Sequence, residues 1–189
     1  MTIAGANLIG GLWIAWTAYW LIASRNAKDD RRQESALSRA AHIVPLVVAA
    51  LLLWTPRIPG VLGERFLPDA PGTFWTGFAI VALGLGVTVS ARVVLGRNWS
   101  GIVTVKQDHE LVTAGPYRWV RHPIYTGLLV AFAGSAIARG EWRGVLAVVI
   151  VFAGLWRKLR LEERWMIETF GDSYLRYREK VRALIPFVL

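Results

Sequence analysis

The residues with the most chemical capacity in this 189-residue chain are gathered in the stretch GPYRWVRHPIYTG, Gly115 to Gly127. Arg118, Arg121 and His122 stand there beside Tyr117, Trp119 and Tyr125, and an apolar run, LLVAFAGSAIA, follows at once. His109 and Glu110 come shortly before it. A second polar group, Lys158, Arg160, Glu162 and Glu163, lies in WRKLRLEERWMIETFGDSYLRYREKVRALIP, Trp156 to Pro186. Ionisable groups beside hydrocarbon are costly and mark function. Lys158 or Arg160 suits the orienting of a carboxylate, whereas an amine or hydroxyl substrate needs a base, for which Glu163 or His122 is the candidate. Glu162 and Glu163 are neighbours, so a helix points them about 100° apart. One can face a pocket while the other faces solvent or an arginine, and they cannot work as a glycosidase-type pair on one atom.

Other chemistries are excluded by what is missing. The chain has no cysteine, which removes thiolate nucleophiles, disulfides and Cys-ligated metals. His42, His109 and His122 are dispersed and show no HExxH spacing, so no metal is expected. Neither GxGxxG nor GxxxxGK[ST] follows a strand. Gly84 and Gly86 sit inside an apolar run, where they suit close helix packing rather than a phosphate loop.

The elements that must position these groups follow from hydropathy. Hydrophobic residues make up 54% of the chain and charged ones 19%, below the roughly 25% of soluble domains; the mean hydropathy is +0.41. Ile3 to Ile22 and Gly72 to Ala91 hold no charged residue, and each has about the 20 residues that cross a bilayer as a helix. Ala40 to Thr55 is shorter, with His42 its interior polar residue. Ile124 to Ala138 and Gly144 to Trp156 are shorter still and read as a helical hairpin linked by RGEWR, with Arg139, Arg143 and Arg157 snorkelling to the interfaces. A five-span arrangement puts eighteen of the 22 Lys and Arg residues on one side and four on the other. Basic loops stay in the cytoplasm, so the N-terminus is expected outside and the C-terminus inside, as in a bacterial inner membrane. The net charge of +9 then reports topology, and no nucleic-acid partner is expected. The expected fold is an all-α integral membrane protein of about five transmembrane helices in one membrane domain, 1–97 as an N-terminal three-helix region and 98–189 carrying the site. No Rossmann domain is expected. GIVTVKQDHELV has short β-branched runs without an evident sheet partner. Pro123 fits the first turn of the fourth span. Leu159, Glu163 and Met166 share a helix face, Gly171 ends that helix, and Tyr174 and Tyr177 with their basic neighbours suit a helix on an anionic membrane surface.

Taken together, HELVTAGPYRWVRHPIYTG, LEERWMIETFGDSYLRYREKV and a terminal IP resemble the isoprenylcysteine carboxyl methyltransferase family, whose wider relatives include phospholipid methyltransferases. The resemblance spans Asn98 to Phe187. It implies an integral membrane enzyme that uses S-adenosylmethionine. By position it implies that His109, Glu110, Leu111, Val112, Tyr117, His122, Pro123, Ile124 and Tyr125 line the cofactor site, with Glu162 at the cofactor's ammonium. Lys158 stands where an arginine is implicated near the acceptor carboxylate in eukaryotic members, with Arg160 two residues on; Arg121 and Glu163 complete the catalytic candidates. The implied partners are a lipophilic or small acceptor, a carboxylate for preference, and membrane lipids. Two other readings use the same residues: an NADPH-dependent sterol-reductase-like enzyme, and a module whose basic tail binds anionic lipid.

Overall fold

The computed structural model describes residues 3–25, 30–99, 104–106 and 111–188. Six helices make up the body: α1 (Ile3–Ser24), α2 (Ala36–Trp54), α3 (Pro71–Leu95), α4 (Pro123–Arg139), α5 (Trp142–Phe170) and α6 (Asp172–Lys180). Local chemistry sets their ends. The Ser35 hydroxyl accepts from the Ser38 N–H at 3.2 Å and caps α2. Pro71 and Pro123 occupy first turns, where no N–H is needed. Gly140 (φ 69°) ends α4, and Gly171 (φ 52°) stands between α5 and α6, both in backbone regions that side chains avoid.

Among the described residues one short ladder interrupts the helices. Thr104–Lys106 (β2) pairs antiparallel with Asp30–Gln33 (β1), in the register Gln33 to Thr104 and Asp30 to Lys106. The partner of the β-branched run is therefore the loop between α1 and α2, far away in sequence.

α2 (mean hydropathy 1.9) and the helical stretch Pro71–Asn98 (28 residues, 2.1) are long and apolar enough to cross a membrane. Only 17% of the α2 window is buried, whereas a core helix of a soluble protein hides most of its surface. Leu51 (61% exposed) and Leu83 (64%) turn outward, as lipid-facing side chains do. α4, at 17 residues, is a shorter apolar helix.

α3 and α4 pack antiparallel along a seam of small residues. A Cβ on Gly84 would stand 2.6 Å from the Ala131 nitrogen and the Gly127 carbonyl oxygen. One on Gly134 would stand 2.6 Å from the Val81 nitrogen, and one on Gly77 2.5 Å from the Ala138 nitrogen. Backbones this close gain dispersion contact that lipid cannot supply. Gly86 meets nothing within 4 Å and takes no part. α1 is tied to the pair through indoles: Trp16 donates to the Thr88 hydroxyl at 2.6 Å and Trp13 to the Ser135 hydroxyl at 3.1 Å. α2 lies along α5, where Gly154 leaves room for Pro45.

The hairpin arginines do not snorkel. Arg139 and Arg143 are 7% and 1% exposed. Arg139 donates to the Leu53 carbonyl at 2.6 Å, Arg143 to that of Thr55 at 2.6 Å, and both pair with Glu141. The last carbonyls of a helix lack intrahelical donors. In an apolar setting these two guanidiniums supply them at the end of α2. Arg157 remains exposed and donates to the Ser38 carbonyl at 3.1 Å.

Candidate active site

α4 begins directly after the RHP turn, so its N-terminus fixes where that turn sits. The turn itself is strapped by the segment after α6. Arg121 N–H donates to the Arg182 carbonyl at 2.8 Å, His122 N–H to that of Ala183 at 3.0 Å, and the Thr126 hydroxyl to that of Leu184 at 2.7 Å. The Arg121 side chain completes the joint. Its Nε and Nη2 donate to Glu163 Oε1 at 2.7 and 2.5 Å, and its Nη1 to the Arg178 (3.2 Å) and Val181 carbonyls. One guanidinium thus holds α5, α6 and the strap.

α5 presents two faces here. Leu155, Lys158, Glu162 and Met166 line a cavity of about 280 Å³, whereas Leu159 and Glu163 are buried outside its lining. The adjacent carboxylates are divided as the helix requires: Glu162 toward the cavity, Glu163 toward Arg121. Tyr125 donates to Glu162 Oε1 at 2.5 Å; His122 Nδ1 stands 3.6 Å from Glu162 Oε2 and its Nε2 3.4 Å from Glu163 Oε1. Lys158 Nζ lies 3.9 Å from Glu162 Oε1 and 5.5 Å from the Tyr125 ring centre. The His122 and Tyr125 rings are stacked 5.4 Å apart.

The electrostatics follow from this packing. Burial alone would lower His122, but the hydrogen bonds and charges of Glu162 and Glu163 outweigh it, and its pKa is raised. Burial works against ionised Glu163 too, yet His122 and Arg121 hold its pKa down to about 2. Glu162 is likewise lowered despite burial, by His122, Lys158 and Tyr125. Burial, and then Glu162, push the Tyr117 phenol up. An ion-pair cluster therefore keeps both carboxylates charged beside a neutral aromatic wall.

Of the candidates read from the sequence, Leu111, Val112, Tyr117, Arg121, His122, Ile124, Tyr125, Lys158 and Glu162 line the cavity. Pro123 is buried in the first turn of α4 and lies outside the lining. Arg160 is exposed and also lies outside it: two residues from Lys158 is about 200° around the helix. His109 and Glu110 lie outside the described residues. Tyr174 and Tyr177 do not lie on a membrane surface; they turn inward to the cavity, and Tyr177 donates to the Tyr117 carbonyl. Arg176, Arg178 and Lys180 are exposed, and Arg178 Nε lies 3.7 Å from Glu163 Oε2.

The wall that sequence reasoning missed comes from α1 and α2. Trp16, Trp20, His42, Ile43 and Leu46 line the same cavity. A single histidine in the apolar run Ala40 to Thr55 was the available signal for His42. The cavity is lined by both charged and apolar side chains, so it accommodates a molecule with one polar and one greasy part.

The profile of the phospholipid methyltransferase family matches residues 73–173. The protein-S-isoprenylcysteine O-methyltransferase of Schizosaccharomyces pombe is 36% identical over 138 residues, covering 70% of this chain and 56% of that protein. The mouse protein of the same name is 31% identical over 179 residues, covering 92% and 61%. The chain thus spans little more than half the length of these relatives. The solved structure of the eukaryotic intramembrane Ras methyltransferase ICMT shares the fold, with a TM-score of 0.52 at 23% identity, over 84% of this chain and 55% of that one.

Proposed function

The chain belongs to the phospholipid methyltransferase family, and on that premise we propose that it is an integral membrane methyltransferase. In this reading it transfers the methyl group of S-adenosylmethionine to a lipophilic acceptor at the cytoplasmic interface, a carboxylate for preference. The observation that carries the reading is one cavity lined both by Tyr117, His122, Glu162 and Lys158 and by the apolar Ile43, Leu46 and Leu128.

The residues present fit the cofactor. It carries an ammonium, a sulfonium and an aromatic base, and the cavity offers ionised Glu162 with the aromatic surfaces of Tyr117, Tyr125 and Trp99. Glu162 would hold the ammonium, with Leu111, Val112, Tyr117 and Ile124 against the rest. When bound, the cofactor supplies a methyl group already activated by its sulfonium. The chain then has to align two partners and exclude water. An ionised carboxylate needs no base, so Lys158 serves as its orienting cation. It carries the charge of an arginine without the bidentate fork. Arg121 and Glu163 are positioning residues: they hold the RHP turn against α5 and do not themselves react. Arg160, exposed, has no part.

We further propose that α1 through α5 all cross, with the N-terminus outside. α1, α4 and α5 then count as spans because they pack against α3 and α2, whose outward surfaces are apolar. The relatives' names point to isoprenylated cysteine as an acceptor to try first.

The test is direct binding. Purified protein should bind S-adenosylmethionine saturably by calorimetry and be stabilised by it in a thermal-shift assay, with no shift from NADPH. Glu162→Gln and His122→Ala should each weaken binding at least tenfold in protein that still melts cooperatively without ligand. A folded protein that responds to NADPH, or to neither cofactor, defeats the reading.

A further inference from the structure

One buried polar pair in the cavity wall has no part in the reading above. His42, on the first turns of α2, is 2% exposed, and Glu34, just before that helix, is 6% exposed. His42 Nε2 lies 3.3 Å from Glu34 Oε1, out of line for a hydrogen bond, and neither ring nitrogen makes one among the described residues. Glu34 is held in turn by the Ser38 hydroxyl, which donates to its Oε2 at 2.7 Å. The ring lines the cavity together with Lys158 from α5 and the apolar Ile43, Leu46, Trp16 and Trp20.

A buried imidazole without hydrogen bonds is costly, and leucine would pack the same wall without that cost. The arrangement has the form of a binding group awaiting its ligand. A carboxylate stands 3.3 Å from the ring, and the ring lines a cavity wide enough for another molecule. The neighbours define what that molecule presents. Lys158 calls for an anion, and the two indoles with Ile43 and Leu46 call for an alkyl or prenyl chain. A carboxylate has two oxygens and about four lone-pair directions, more than one ammonium satisfies.

We propose that His42, backed by Glu34, is a second binding group for the acceptor's carboxylate, working with Lys158 in the lining of the same cavity. The inference rests on the methyltransferase reading and deepens it by assigning the acceptor's headgroup to α2, outside the 73–173 region that the family profile matches. The ring's N–H donates to the acceptor's carboxylate. No proton has to leave an ionised acceptor, so His42 orients and does not act as a base.

The experiment measures binding of N-acetyl-S-farnesylcysteine and of its uncharged methyl ester to the purified full chain, by calorimetry. S-adenosylmethionine affinity is measured in parallel on the same samples. Wild type should prefer the acid over the ester about tenfold or more, the scale of one hydrogen bond to a charged group. His42→Leu should reduce that preference several-fold, leaving the share that Lys158 supplies, and leave S-adenosylmethionine affinity unchanged. His42→Gln, which keeps a donor, should retain most of it, and Glu34→Gln should lose an intermediate share; these two decide the matter if His42→Leu does not fold. The proposal is overturned if wild type shows no preference for the acid, if His42→Leu keeps the preference, or if His42→Gln loses it completely. Failure of wild type to bind S-adenosylmethionine is a separate result and defeats the underlying reading instead.

Discussion

Arg121 carries more of the site's architecture than any neighbour, because its guanidinium reaches Glu163, a carbonyl of α6 and one of the strap at once. Removing one member of a buried ion pair leaves the other charge uncompensated, at about 3–5 kcal/mol. Arg121→Leu should therefore lower stability by that order in denaturant titrations, and Arg121→Leu with Glu163→Leu should recover a large part of it. The pH dependence has a definite sign. His122 is raised above its ordinary 6.5, so its contribution is complete below about pH 6.5 and fades as pH rises through its folded value. Glu163 is depressed from 4.5 to about 2, so its contribution is complete above about pH 4.5 and is lost as pH falls toward 2. The melting temperature should form a plateau between those limits, and His122→Phe should abolish the alkaline decline; an unchanged alkaline limb in that variant contradicts the assignment. At this scale the RHP stretch and the glutamate pair were legible, because their chemistry is local and their spacing short. The 200° offset that removes Arg160 was also legible, since it is plain helix arithmetic. His42 was not, because its significance depends on α2 lying along α5, more than a hundred residues away.

The helices owe their ends to residues visible in the sequence, Pro71, Pro123, Gly140 and Gly171 among them. Their partners are less visible. Gly84 and Gly86 read alike in sequence, and the structure separates them: one faces the main chain of α4, the other faces outward. Gly84→Leu should lower the thermal midpoint strongly, with overpacking alone costing about 1–3 kcal/mol. Gly86→Leu should be near neutral. Equal effects in a melting assay would mean that the seam is misplaced. The C-terminal end of α2 makes a second case. Arg143→Ala removes the donor for the Thr55 carbonyl and leaves Glu141 with one cation fewer. A loss of about 1–3 kcal/mol is expected, whereas an arginine that merely snorkels would be dispensable. Sequence reasoning placed these arginines at an interface because loop cations are usually solvated. It had no means of seeing that α2 would end beside them.

For the molecule as a whole, the distribution of basic residues predicts sidedness and the β1–β2 ladder constrains it. Strands that pair must share a side, so the loop between α1 and α2 and the loop between α3 and α4 emerge together. The chain has no cysteine, so single-cysteine variants can be read without background. Arg57→Cys and Arg176→Cys, both at exposed positions, should react with a membrane-impermeant maleimide from opposite sides of sealed vesicles. Labelling from the same side would refute the five-span arrangement. The overall class was legible because hydropathy and charge asymmetry act over whole segments; the ladder was not, because its halves are separated by two spans. The glycine seam has one more consequence. Where a Cβ on one helix would strike the main chain of the other, no swap of side chains across the joint can relieve it. Any lineage that enlarges one of these glycines must respace the two rods, and His122 hangs from the end of one of them. Mutational drift along the α3–α4 seam is therefore tethered to the geometry of the pocket, and the two cannot wander independently.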